Sequence, residues 1–189
     1  MRKYLCLLPL LLVCLSASAQ GSTTAAFNLQ QAETLKFGML ALGAWALLNI
    51  LISSIKLTKS SRNRRYFFQM NIYWNIVNMV IAGGSLYFLL STDPGARTLA
   101  ASIDFHYWNL KLLYLSIGLD LAFLMLAAYL KERSLSSPRA EQYLGYGQSI
   151  TLQGLFLLML DIVLVVLLEG RAEELLAVVA RHGDDRVVE

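Results

Sequence analysis

The sequence predicts an all-α protein, a membrane-embedded four-helix bundle preceded by a cleavable signal peptide. Three observations predict it: hydrophobic residues make up 57% of the 189-residue chain, charged residues only 15%, and the apolar residues gather in a few long runs. Ordinary soluble domains are about 25% charged, so a surplus of apolar surface on this scale calls for lipid to cover it. A single compact membrane domain accommodates it, with little left for a separate water-facing core.

The chain opens with Met1-Arg2-Lys3, continues through an apolar stretch from Leu5 to Leu15, and reaches Ala17-Ser18-Ala19 before Gln20. A positive start, a short apolar run and small residues two apart are what signal peptidase reads. The expected signal is therefore 1–19, with a mature N-terminus at Gln20. Both cysteines, Cys6 and Cys14, fall within it, so the mature chain has no thiol for a disulfide, a thiolate metal site or a nucleophile. Without Arg2 and Lys3, the 16 basic residues become 14 against 13 acidic ones. A balance of about +1 gives no footprint for nucleic acid.

Residues 20–36 are rich in Ser, Thr and Gln and are expected to form an exposed external lead-in. Four apolar segments follow, at about 37–57, 68–90, 108–130 and 150–168. Each is about the 20 residues that an α-helix needs to cross hydrocarbon. Lys56, Lys59, Arg62, Arg64 and Arg65 follow the first segment, and Lys131, Arg133 and Arg139 follow the third. Basic short loops stay in the cytoplasm, which places the mature N-terminus and the C-terminus outside. Ser91-Thr92-Asp93-Pro94-Gly95 breaks the chain between the second and third segments, and no proline interrupts a span. Unbroken helices satisfy their own backbone and argue against a transporter built on unwound segments. In the tail, 169–189, Leu175, Leu176, Val178 and Val179 alternate with Glu173, Glu174 and Arg181, as in an amphipathic helix.

Each span carries one polar seam. Trp45, Asn49 and Ser53 lie on one face of the first; Asn71, Asn75, Asn78, Ala82 and Ser85 on one face of the second; Asn109, Ser116, Asp120 and Ala127 on the third. In the fourth, Gly147, Gly154 and Asp161 share a face, with Gln153 beside it. Small and polar residues let helices approach and hydrogen-bond inside a bundle. Asn49, Asn78, Asp120 and Asp161 each fall about halfway across, so these residues, with Asn75, form the candidate midplane cluster. Two carboxyls held close in a dry site share a proton rather than both ionising, and intramembrane acids mark functional sites by default. Two readings stay open: interhelical packing, or binding of a proton or cation.

His106 lies among Phe105, Tyr107 and Trp108, where an interfacial aromatic belt is expected, and His182 lies in the tail. Neither position suits a haem inside the bundle, and no nucleophile–base motif is present. The chain is therefore expected to be non-enzymatic, with no catalytic residues, no metal and no cofactor.

The run Arg65-Tyr66-Phe67-Phe68-Gln69-Met70-Asn71, continued by Trp74-Asn75 and Asn78 and preceded by Gly43, Trp45, Ala46 and Asn49, resembles a family of uncharacterised small bacterial membrane proteins. The resemblance covers Gly38 to Gly84. It implies the four-span layout in a bacterial inner membrane, and supplies no activity. The chain departs from the pattern at Phe68, where the family often carries His. The expected partners are the lipid bilayer and other membrane proteins or further copies of the chain.

Overall fold

The computed structural model describes residues 24–173, with Leu175 and Leu176 beyond them. The expected signal peptide and most of the amphipathic tail lie outside the described residues. Within them the chain forms four long helices and no strand: α1, Thr24–Leu57; α2, Arg62–Ser91; α3, Leu99–Ser134; and α4, Ala140–Glu169. A 3-10 turn, Pro94–Ala96, joins α2 to α3. All four helices are long and apolar enough to cross a membrane.

The helices begin and end at the residues that chemistry selects. Asp93 Oδ1 accepts from the Gly95 N–H at 2.9 Å, which fixes the turn at Pro94, and Thr98 caps α3 by accepting from the Ala101 N–H. The helices nevertheless outrun the apolar segments. At 1.5 Å per residue, helices of 30 to 36 residues are about 45 to 54 Å long, well over a hydrocarbon thickness of about 30 Å. Hydropathy registers only the stretch that lipid would cover, whereas the backbone stays helical until a breaker intervenes.

Residues 20–36 therefore need correcting. From Thr24 onward they are not an exposed lead-in but the first turns of α1, and Phe27, Asn28, Gln31, Ala32 and Leu35 are buried. Nothing in Thr24–Lys36 breaks a helix, and its Ala, Leu, Gln and Glu favour one.

Packing runs chiefly α1 on α2, α2 on α4, and α4 on α3, while α2 and α3 stand apart along most of their length. The core holds Leu35 and Leu42 of α1, Ala82 and Leu89 of α2, Leu110 and Leu113 of α3, and Leu160, Leu164 and Leu168 of α4. Glycine allows the closest approaches. A Cβ on Gly147 would sit 2.9 Å from the Ala127 carbonyl oxygen of α3, and one on Gly38 would press into Leu164. Gly83 and Gly84, by contrast, have nothing within 4 Å of the Cβ position. The outward faces stay apolar, with Val80, Leu90 and Met125 each about 70% exposed. Soluble monomers do not expose apolar surface continuously in this way.

Both basic loops lie at one end of the bundle. Arg62 Nε approaches Glu141 at 3.2 Å, joining the start of α2 to the start of α4, and Tyr66 meets Tyr146 edge-on one turn further along. The Arg62–Glu141 pair is open to solvent and adds little stability.

Candidate functional site

Three polar groups lie along the interior, one above another. Nearest the basic loops is a closed ring of side chains drawn from three helices. Trp45 Nε1 donates to Gln153 Oε1 at 2.8 Å, Gln153 Nε2 donates to Asn71 Oδ1, and Asn71 Nδ2 donates to Asn49 Oδ1 at 2.9 Å. Asn49 Nδ2 closes the ring on the Trp45 carbonyl at 2.9 Å. Asn71 Nδ2 also reaches Ser53 Oγ at 2.8 Å, and Asn75 Nδ2 donates to the Asn71 carbonyl at 2.7 Å. Trp45 stacks on Phe156, ring centroids 4.0 Å apart, which holds the indole in place. Asn71, Asn75, Ser53 and Gln153 are all buried, so each bond here replaces one that water cannot supply.

The second group is the acid pair. Asp120 of α3 and Asp161 of α4 lie close enough for a direct interaction between their side chains. Asp120 is buried, and its Oδ2 has no hydrogen-bond partner among the described residues; the same is true of Asn78 Nδ2 on α2. Both acids and Asn78 face a cavity of about 470 Å³ in the gap between α2 and α3. Asn109, Ser116 and Ser85 add polar groups to its wall, and the rest is apolar, with Leu35, Leu42 and Leu113 among the residues. Two aromatic pairs bridge the gap: Trp74 on Phe123, at 4.6 Å and nearly perpendicular, and Phe88 beside Phe105 at 6.5 Å.

The candidate cluster read from the sequence thus divides. Asp120, Asp161 and Asn78 share the cavity, whereas Asn49 belongs to the ring and Asn75 is tied to it through Asn71. Gln153, which closes that ring, has one signal in the sequence: a glutamine within an otherwise strongly apolar helix.

The third group lies at the opposite end, where α1 begins. Asn28, Gln31 and His106 are fully buried, and none of their side-chain nitrogens or oxygens has a hydrogen-bond partner among the described residues. This corrects the belt reading of His106. Tyr107 and Trp108 do face outward, but the imidazole turns inward against Phe27, ring centroids 5.7 Å apart. One residue is 100° of helix, so a contiguous aromatic run presents different faces. Among the described residues no three His, Cys, Asp or Glu side chains gather as a metal site.

Four unbroken helices enclosing a polar interior, with a carboxyl pair on the wall of a mostly apolar cavity, define the class of multi-pass helical bundles suited to a membrane. More particularly, the chain belongs to a family of unknown function, DUF6992, whose model matches residues 41–162. The match takes in the amide ring, the acid pair and His106, well beyond the Gly38 to Gly84 region that carried the resemblance. No curated protein and no solved structure matches the chain.

Proposed function

We propose that this chain is a non-enzymatic multi-pass membrane protein that binds a partner or ligand in the gap between α2 and α3, recognising it through Asp120 and Asp161. The observation that carries the reading is the meeting of two acids from different helices on the wall of the 470 Å³ cavity. The occupant that suits it is largely apolar, with one cationic or hydrogen-bond-donating group for the carboxyls. An unpaired acid within hydrocarbon costs about 2.5–3.5 kcal/mol on the insertion scale, so a bound donor or cation stabilises the folded bundle. The amide ring serves packing, fixing α1, α2 and α4 around the gap. In this reading the membrane is the bacterial inner membrane, 1–19 is removed, and the basic loops face the cytoplasm by the positive-inside rule.

A second reading is a proton- or cation-linked carrier that uses the same pair. The carboxyl-to-carboxyl proximity of Asp120 and Asp161 favours it, because such a pair holds one proton readily and two charges poorly.

Asp161→Asn separates the two from simple packing. If the acids serve packing alone, the isosteric amide preserves thermal stability and changes nothing else. On the proposed reading it also preserves folding, but abolishes stabilisation of the purified protein by lipophilic amines, measured as the shift in melting temperature with hexadecylamine and with hexadecanol as the neutral control. Equal stabilisation of wild type and Asp161→Asn by the amine would overturn the binding role.

A further inference from the structure

We infer that His106, buried near the level of Asn28 and Gln31, is the proton-access group that connects the end of the bundle where α1 begins with the Asp120–Asp161 pair. The inference rests on the carboxyl-pair reading above and assigns that pair its route to water.

Helix register places the parts. Leu35 of α1 and Leu113 of α3 share the core and the cavity wall. Seven residues earlier on each helix, on the same face and about 10 Å further along the axis, stand Asn28 and His106. The ring contact of Phe27 with His106 fixes the two helices at that level. Along α3 the inward face then carries Ser102, His106, Asn109, Ser116 and Asp120 in succession. The last three all line the cavity, so one turn of helix separates His106 from a space that reaches the acids. Six polar atoms of Asn28, Gln31 and His106 are buried without hydrogen-bond partners among the described residues. Buried groups of this kind in a folded protein point to water or a ligand between them.

Among the described residues no charged group is paired with the imidazole. On α3, Asp104 is exposed, and Tyr107 meets His106 only through its ring edge. Arg97 is occupied over the Phe105 ring, 3.8 Å from its centroid. Glu33 of α1 is exposed, and Arg171, past α4, donates to Gln30 Oε1 at 3.1 Å. The transfer needs only water. Imidazolium loses one N–H proton to a cavity water, that water protonates a carboxylate oxygen of the pair, and the imidazole takes a new proton from hydronium at the bundle end. One N–H bond breaks and one forms, one O–H bond of hydronium breaks as one forms at the acid, and no electron is transferred.

The test is infrared spectroscopy of the full chain in nanodiscs after a switch from H₂O to D₂O, following the carboxylic C=O band that Asp161→Asn removes. In the wild type the band should shift during mixing. In His106→Phe and in the smaller, hydrogen-bonding His106→Gln it should keep its intensity but exchange about a hundredfold more slowly, the low end of what a positioned proton-transfer group contributes. Gly83→Ala should match the wild type. Absence of any band removed by Asp161→Asn would sink the carboxyl-pair reading and this inference with it. A band that exchanges equally fast in both His106 variants would overturn the inference alone. Should both variants misfold, ¹⁵N-histidine NMR of the wild type decides: the chain has two histidines, and an imidazole signal that survives His182→Ala but does not titrate in step with the carboxyl band contradicts the relay.

Discussion

Gly147→Leu is expected to destabilise the folded bundle by about 3 kcal/mol, at the upper end of what overpacking costs, measured by unfolding in mixed detergent micelles. The added Cβ alone would meet the Ala127 carbonyl oxygen and Lys131 Cγ, each at 2.9 Å, and the Lys131 N–H group at 3.2 Å. Two of those three contacts are backbone, so the strain cannot be relieved by turning a side chain. The helices must separate, and α3 on α4 is the most extensive packing among the described helices. Gly83→Ala supplies the contrast. Its Cβ enters open space, and alanine is the better helix former, so stability should stay the same or rise by up to about 1 kcal/mol.

Asn71→Leu should cost nearly as much, by a different mechanism. Asn71 joins α2 to α1 through Asn49 and Ser53, and to α4 through Gln153. Leucine removes three interhelical hydrogen bonds. At about 0.6 kcal/mol for each such bond in a membrane protein the loss is about 2 kcal/mol, and the stranded, buried Gln153 amide adds to it. The same unfolding titration measures the loss, and a variant as stable as wild type would mean that the ring does not hold these helices together.

These two variants also mark what was legible in the sequence. The four helices were, because hydropathy and breakers act locally: Pro94 and Pro138 lie in the connections between helices. The inward seams were legible too, since Asn71, Asn75 and Asn78 recur at helical spacing. Helix lengths were not, because the polar turns at each end carry no apolar signal, as Thr24–Lys36 demonstrates. Nor was the division of the midplane residues. Depth along a helix can be counted, but whether an asparagine of α2 meets Gln153, as Asn71 does, or faces the acids, as Asn78 does, depends on which helices are neighbours, and α2 packs on α4 while standing off α3. His106 was misread for a related reason: an aromatic run resembles a belt until the helix phase is fixed by a neighbour, here Phe27.

In the proposed arrangement Asp120 and Asp161 face one another across the interior of a membrane-embedded bundle. Cysteine cross-linking in native membranes decides it, with Cys6 and Cys14 replaced by Ser, Asp120→Cys paired with Asp161→Cys, and a short bis-methanethiosulfonate bridge. Tyr66→Cys with Tyr146→Cys, whose rings lie 6.0 Å apart, is the positive control. An efficient bridge between 120 and 161 within a single chain is the expected result; a bridged control pair with no bridge between 120 and 161 would rule the arrangement out.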